Sequence, residues 1–91
     1  MDKQWVLYIL TCKDGSLYTG ITDNLERRLT QHNEGKGAKY TRGRAPLSLA
    51  YLEKCEDKSH ALRREIAVKK LTRVQKQSLC ETYSKSASGR T

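Results

Sequence analysis

The stretch that decides the fold is QWVLYILTCKDGSLYTGIT, residues 4–22. Two β-rich runs flank KDGS, and the Asp-Gly pair in it supplies the turn chemistry of a hairpin. If residues whose numbers sum to about 28 pair, Tyr8 lies opposite Gly20, with Tyr18 on the same face. A slip of one residue would place the two tyrosines on opposite faces. In the first register, Gly20 has no side chain to cover the ring of Tyr8. The resulting gap predicts a binding site beside the Tyr8 phenol.

The composition indicates one soluble domain with a polyanionic partner. The 91 residues are 36% hydrophobic and 31% charged, as in globular proteins. The longest apolar run, WVLYIL, is too short to span a bilayer, and no signal peptide is visible. Lys and Arg outnumber Asp and Glu by 18 to 10, a formal net charge of +8. Because the helices lack a bulky apolar face, we expect nucleic acid as the partner, with no membrane contact.

The cysteines predict a reducing compartment. Cys12, Cys55 and Cys80 are odd in number, widely spaced and outside any CxxC pair. Neither a disulfide framework nor a zinc site fits that spacing. We therefore expect a cytoplasmic protein in which the three cysteines are small, half-buried hydrophobic side chains.

The next segments predict a helix, a basic loop and a third strand. Asp23 with Glu26 resembles a capping box, and the helix that follows should run to about Asn33. GKGAKYTRGRAP, residues 35–46, reads as a basic loop. LSLAYLEK, residues 47–54, alternates as a strand does.

A second helix over residues 60–71, capped by Asp57 or Ser59, carries an unexpected carboxylate. Glu65 falls near the middle of its apolar arc. The arc consists of Ala61, Leu62, Ile66 and Val68. An ionised carboxylate on a buried face costs several kcal/mol unless a cation or several donors meet it. The cation could be Lys69 one turn on, an arginine of the first helix, or a Mg²⁺ ion that retains most of its waters.

The C-terminal residues predict a short helix followed by a tail. Thr72 with Gln75 forms a second capping box, which starts a helix over about 73–82. Val74 and Leu79 should pack this helix across the sheet. Residues 83–91 are expected to be a disordered tail, so the domain should span residues 1–82.

Four polar residues near the hairpin have both a plain and a chemical interpretation. Tyr8 and Tyr18 are ordinary strand residues by propensity, but in a cleft a phenol flanked by cations could orient or deprotonate water. Arg28 has the planar fork that suits a phosphate, whereas Arg27 should face solvent. His32, one turn after Arg28, could relay a proton, although a lone helical histidine is more often a surface residue.

Two basic stripes are candidates for nucleic-acid contact, in the 35–44 loop and along RREIAVKKLTRVQK, residues 63–76. Charge runs like these are usually solvated faces. Two of them on one small domain of net charge +8 favour phosphate contacts. The candidate nucleic-acid-binding residues are Lys36, Lys39, Tyr40, Arg42, Arg44 and Lys69.

Taken in order, VLY, YTG, Arg28, His32 and Glu65 resemble the GIY-YIG nuclease domain over about residues 4–80. RRLTQHNEG and GAKYTRGRAP are most similar to the short structure-specific nuclease branch and the small standalone bacterial members. The resemblance implies an α/β (α+β) fold with a central three-stranded antiparallel sheet flanked by helices. It also implies hydrolysis of DNA phosphodiesters with one Mg²⁺ or Mn²⁺.

The same resemblance implies a role for each catalytic candidate. Tyr18 would be the general base or position the water, while Tyr8 would support it and contact the phosphate. Arg28 would stabilise phosphate charge, His32 would help to activate the water, and Glu65 would bind the metal. VLY departs from Gly-Ile-Tyr but retains the tyrosine. The asparagine that many members carry late in the domain is missing, since none follows Asn33.

The sequence therefore predicts a metal-dependent endonuclease or exonuclease acting on DNA, with a role in repair or recombination. RNA stays open as a substrate. We expect no appended DNA-binding domain, so affinity should come from the basic face or from a partner protein. The alternative is a nucleic-acid-binding module with the same fold and little or no turnover.

Overall fold

The computed structural model describes residues 4–88, which form a three-stranded antiparallel sheet with helices on both faces. The strands are β1 (Trp5–Thr11), β2 (Leu17–Thr22) and β3 (Ser48–Cys55); the helices are α1 (Leu25–Asn33), α2 (Lys58–Lys69) and α3 (Arg73–Ser88), and a 3₁₀ turn spans Lys39–Thr41. The strand order is β2-β1-β3, so β1 is central and β2 is an edge. The predicted fold class is confirmed. Within residues 4–88, every helix is too short or too polar to cross a bilayer.

The hairpin has the register that places both tyrosines on one face. Tyr8 pairs with Gly20, and Leu10 pairs with Tyr18. The turn is fixed locally, because the Asp14 carboxylate accepts hydrogen bonds from both the backbone N–H and the hydroxyl of Ser16. The predicted register of the hairpin is confirmed.

The two faces of the sheet bury separate apolar clusters. One cluster lies under α2 and α3, and the other lies under α1 and the loop that follows it. The buried members of the first are Leu7, Ile9, Cys55, Ala61 and Val68; those of the second are Tyr8, Leu10, Cys12 and Leu47. All three cysteines are free thiols as expected, but only Cys80 is half-buried, since Cys12 and Cys55 are buried.

Helix α1 ends at Asn33 as predicted, but its cap lies one residue later than expected. The Asn24 side chain, not Asp23, accepts the hydrogen bond from the Arg27 N–H at 3.1 Å. Thr22 favours this arrangement because its hydroxyl oxygen accepts the Asn24 N–H at 3.1 Å.

Helix α2 is capped by Asp57 and turned differently from the expected orientation. Ala61 and Val68 are buried, but Leu62 and Ile66 are 41% and 58% exposed, so half of the predicted apolar arc is wrong. A side-chain fork sets the rotation: Arg64 donates to both oxygens of Glu53 on β3, at 2.5 and 3.0 Å. This leaves Glu65, the next residue, half-buried against the sheet.

Helix α3 begins as predicted and ends later. Thr72 and Gln75 form the reciprocal capping box, at 2.9 and 3.2 Å. Leu79 packs on the core, but Val74 is 74% exposed, so its predicted packing role is wrong.

The helix continues through Ser88, which corrects the prediction of disorder from residue 83 onward. Tyr83 accounts for part of the extension, because its ring packs edge-on against Tyr51 with centroids 5.9 Å apart. The rest of the expected tail, residues 89–91, lies outside the described residues. The boundary of the domain at residue 82 stays a prediction.

The loop after α1 is fastened at both ends. The Asn33 side chain accepts the Leu47 N–H at 2.7 Å and donates to the Leu47 carbonyl at 3.3 Å. Near its C-terminal end, Arg44 forms an ion pair with Asp14 of the hairpin turn. These clips hold the loop, residues 34–46, over the face of the sheet that carries Tyr8.

Candidate active site

A buried chain of hydrogen bonds lies at the centre of the site. The Tyr8 hydroxyl is 3.0 Å from His32 Nε2, and both side chains are almost fully buried. His32 Nδ1 is 2.8 Å from the Thr41 hydroxyl, which donates to the Ala38 carbonyl, also at 2.8 Å. Buried polar groups are costly unless they are paired, and each member of this chain is paired.

Two glycines make room for the chain. A Cβ atom at position 20 would lie 2.6 Å from the Tyr8 hydroxyl oxygen, and one at position 37 would lie 2.2 Å from His32 Nδ1. Both distances are far below van der Waals contact. Gly20 and Gly37 are thus required by the approach of the backbone to these rings. The hole predicted at Gly20 is filled by the phenol of Tyr8.

Burial keeps the two buried side chains neutral near pH 7. Burial raises the pKa of Tyr8 to about 12, against the opposing effect of the neighbouring Arg28 guanidinium. Tyr18 and the Glu65 carboxylate raise the Tyr8 pKa further. Burial, and secondarily Arg28, lowers the pKa of His32 below its ordinary 6.5. The chain therefore joins a neutral phenol to a neutral imidazole.

Tyr18 presents its ring between the buried chain and solvent. Its centroid is 6.3 Å from that of Tyr8 and 5.2 Å from that of His32. Tyr40, 45% exposed, stacks on Tyr18 at 6.0 Å, and the Arg44 guanidinium lies 4.4 Å from the Tyr40 centroid. The result is an aromatic and cationic surface beside the buried pair.

A cleft runs along the outer edge of β2 next to this surface. Tyr18 and Thr19 both line it although successive strand side chains alternate faces, so the cleft reaches around the edge from one layer to the other. Its lining consists of Leu17, Tyr18, Thr19, Tyr40, Lys69 and Lys76. The layer of α1 and its loop meets the layer of α2 and α3 here.

Arg28 and Arg27 separate as the sequence predicts. Arg27 is exposed, whereas Arg28 is half-buried beside Tyr8. Arg28 also donates to the Gln31 amide oxygen at 3.2 Å. In the part of the chain that the structure describes, the ion pairs do not include one between Arg28 and Glu65, so a permanent pair of that kind is not observed.

Glu65 fits a metal that is shared with a substrate phosphate. Its side chain is 20% exposed, and Oε2 lies 3.3 Å from Lys69 Nζ, one of the alternatives left open by the sequence. Within residues 4–88, no three His, Cys, Asp or Glu side chains cluster as a protein cage for a metal requires. One carboxylate beside phosphate oxygens is a sufficient protein contribution for Mg²⁺, which retains several waters.

The other candidate contacts are divided between the loop and α2. Lys36, Lys39 and Arg42 are exposed on the loop. Arg44 is already paired with Asp14, which orients it and leaves it half-exposed. Lys69 lines the cleft together with Tyr18 and Tyr40.

Three contributors to the site escaped the sequence reasoning. Lys76 lies within the second basic stripe, but only the folded cleft distinguishes it from its neighbours. Gly37 and Thr41 lie in an irregular loop, where no periodicity shows which side chains turn inward. The sequence points to Gly37 and Thr41 only through the short motif GAKYT, which is one of the segments that resemble the GIY-YIG domain.

Comparison with known proteins agrees with this geometry. Residues 4–78 match the GIY-YIG catalytic domain. The chain belongs to the GIY-YIG family. This is a nuclease family, and the resemblance in the sequence is therefore confirmed.

Individual GIY-YIG relatives match most of the chain. A UPF0213 protein of Oceanobacillus iheyensis is 53% identical over 81 residues, covering 89% of this chain and 94% of the relative. One from Clostridium perfringens is 58% identical over 78 residues, covering 86% and 84%. Their names state no activity.

Two solution NMR structures share the fold. The protein EF2693 of E. faecalis has a TM-score of 0.63 and 48% identity, over 91% of this chain and 88% of that one. The UPF0213 protein BH0048 of Bacillus halodurans has a TM-score of 0.56 and 47% identity, over 87% and 84%.

Replacing Gly20 by Ala should destabilise the protein through Tyr8. The added methyl group collides with a buried ring, so we expect the free energy of unfolding to fall by about 1–3 kcal/mol in urea denaturation. In a Tyr8→Leu background, where the ring is gone, the same substitution should cost less. Additive effects, agreeing within about 0.5 kcal/mol, would show that Gly20 and Tyr8 do not interact.

The depressed pKa of His32 predicts loss of stability in acid. An unfolded histidine titrates near 6.5, and the folded one titrates lower. The contribution to stability is thus present above pH 6.5 and is lost as the pH falls through the folded pKa. The slope approaches about 1.4 kcal/mol per pH unit for one proton. An NMR titration in which the His32 ring protonates at or above pH 6.5 would contradict this.

Proposed function

We propose that the protein is a divalent-metal-dependent nuclease that hydrolyses DNA phosphodiester bonds. The observation that carries the proposal is the buried Tyr8–His32 hydrogen bond, which lies beside the Arg28 guanidinium. A purely structural core of this size gains little from burying such a pair. The neighbouring cleft has the charge and the aromatic surface that a nucleic acid requires.

Glu65 is the residue that would bind Mg²⁺ or Mn²⁺. When bound, the metal neutralises charge on the phosphate and lowers the pKa of a coordinated water. Lys69 competes for the same carboxylate, but its side chain is 52% exposed. Because the ammonium end of this pair is largely solvated, Lys69 can turn to a phosphate when a metal takes its place beside the carboxylate.

Tyr18 and the buried pair would handle the attacking water and its proton. Tyr18 is the phenol that lines the cleft, and this exposure to the cleft supports a role in orienting the water. Tyr8 and His32 provide a path for a proton. If the Tyr8 oxygen takes up one proton, its own proton can pass to His32 Nε2, which becomes the cationic end of the path.

Arg28 would stabilise the charge that develops on the scissile phosphate. Its guanidinium is half-buried beside Tyr8, so its position is fixed before substrate arrives. Fixed cationic donors in a partly desolvated site are among the strongest contributions to phosphoryl-transfer catalysis. The same positive charge lowers the pKa of His32, so the imidazole is neutral before the reaction and its Nε2 lone pair is available for a proton.

The exposed cations would hold the nucleic-acid backbone along the cleft. Lys69 and Lys76 line the cleft, while Lys36, Lys39 and Arg42 are exposed on the loop that carries Tyr40 and would extend the contact. Arg44 keeps Tyr40 in place, which offers its ring to a base. Contacts of this kind read no sequence, so a preference for DNA structure, or a partner protein, would supply the specificity.

We further propose a cytoplasmic role in DNA repair or recombination. The similarity of RRLTQHNEG and GAKYTRGRAP to the structure-specific nuclease branch supports this setting. Preference for flap or branched DNA over linear DNA would support it directly.

The second candidate is a nucleic-acid-binding module with little or no turnover. The Glu65–Lys69 ion pair favours it, because a carboxylate that stays paired is unavailable to a metal. The missing late asparagine also fits a weakened enzyme.

The test combines metal-dependent cleavage with two variants. The wild-type chain is incubated with end-labelled single-stranded, duplex, flap and branched DNA, and with RNA, in Mg²⁺, Mn²⁺ or chelator. Glu65→Gln and Tyr18→Phe should each reduce cleavage about 100-fold or more and still bind DNA. In chelator, Glu65→Gln should bind at least as tightly as the wild type, because a negative charge near the phosphates is removed.

Matched controls separate chemistry from folding. Glu81→Gln makes the same charge change on an exposed part of α3, and Tyr83→Phe removes a phenol far from the cleft. Both should cleave like the wild type. Salt-sensitive binding with no cleavage by the wild type on any substrate would favour the binding module.

A further inference from the structure

The Thr41 hydroxyl holds a position that decides where the His32 proton lies. Thr41 is fully buried, and its oxygen is 2.8 Å from His32 Nδ1 and 2.8 Å from the Ala38 carbonyl. A carbonyl oxygen can only accept, and a hydroxyl has one hydrogen to donate. The Thr41 hydrogen must therefore point to Ala38, which turns a lone pair of the Thr41 oxygen toward Nδ1.

The rest of the chain follows from that one orientation. Nδ1 has to carry a hydrogen in order to meet the Thr41 lone pair. In a neutral imidazole Nε2 is then bare, so it accepts the hydrogen of the Tyr8 hydroxyl at 3.0 Å. All hydrogens of the chain point in one direction, from Tyr8 through His32 and Thr41 to the backbone of the loop.

We propose that Thr41 is a positioning residue that fixes His32 as the Nδ1–H tautomer and thereby points the Tyr8 hydroxyl hydrogen at Nε2. The Tyr8 lone pairs are then turned away from His32, toward the Arg28 guanidinium. The opposite tautomer would bring a bare Nδ1 against the Thr41 lone pair and would make Tyr8 an acceptor of the Nε2–H. The relevance of the Nδ1–H tautomer to catalysis rests on the proposed nuclease function. The assignment of the tautomer itself does not depend on that function.

The loop is built to keep this contact. The Thr41 N–H also donates to the Ala38 carbonyl, at 3.0 Å, which closes the 3₁₀ turn around the hydroxyl. Gly37 allows the chain to pass next to His32 Nδ1, where any side chain would collide. The clips at Asn33 and Arg44 hold the two ends of the loop. The solvent side of this loop thus carries exposed cations, and its inner side carries Thr41, which fixes the tautomer of His32.

The first measurement uses the wild-type protein without substrate. In ¹⁵N-labelled protein, NMR of the imidazole nitrogens above pH 7 shows which ring nitrogen of His32 bears the hydrogen. We expect the hydrogen on Nδ1. A hydrogen on Nε2 would overturn the proposal, whatever the variants do.

Variants then separate tautomer control from simple packing. Thr41→Val retains the shape of the side chain and removes the hydroxyl, so the preference for Nδ1–H should be lost and cleavage should fall about 10- to 100-fold. Thr41→Ser retains the hydroxyl and should restore both. Thr30→Val is the matched control, because the Thr30 hydroxyl on α1 donates only to the exposed Glu26 carbonyl; it should leave both unchanged.

The outcomes distinguish this proposal from the nuclease assignment. Slower cleavage by Thr41→Val with the Nδ1–H tautomer retained would overturn the positioning role, since the effect would then be one of packing. Wild-type cleavage by Thr41→Val would overturn it as well. An Nδ1–H tautomer in a wild type that cleaves no substrate would contradict the nuclease and still support the assignment of the tautomer.

Discussion

The hydrogen bond between Tyr8 and His32 is the constraint around which the rest of the structure is arranged. Two polar rings are buried in a domain with little core to spare, and they can stay there only if every donor meets an acceptor. Positions 20 and 37 are occupied by glycine because a Cβ atom at either position would collide with one of these rings. Thr41 closes the chain on the far side. The loop and the hairpin are thereby fixed to each other.

This constraint brings two layers of the protein to one edge. Tyr8, Arg28 and His32 belong to the layer of α1, whereas Glu65 and Lys69 reach the same region from α2. The layers meet at β2 because it is the edge of the sheet and leaves a cleft that is open to solvent. Lys69 and Lys76 line this cleft, and the Glu65 carboxylate lies 3.3 Å from the Lys69 ammonium. A phosphodiester in this cleft would meet groups from both layers.

The sequence predicted what depends on short-range patterns and missed what depends on tertiary contacts. An Asp-Gly turn and strand alternation set the register, so Tyr8 opposite Gly20 was predictable. Leu62 and Ile66 were misplaced because the Arg64–Glu53 fork, a long-range contact, rotates α2 against its hydrophobic pattern. Thr41 was missed because loops carry no periodicity. Roles for the catalytic candidates came from family resemblance, and they stay proposals.

The most direct test of a single metal-dependent site at the β2 edge is paramagnetic broadening by Mn²⁺. Amide signals of the ¹⁵N-labelled chain are followed as Mn²⁺ is added, with and without a non-cleavable phosphorothioate oligonucleotide. The account predicts broadening centred on Glu65 that extends to Tyr18 and Gly20 and is lost in Glu65→Gln. Broadening centred elsewhere, or unchanged in that variant, would contradict the assignment of the metal and with it the proposed catalytic site.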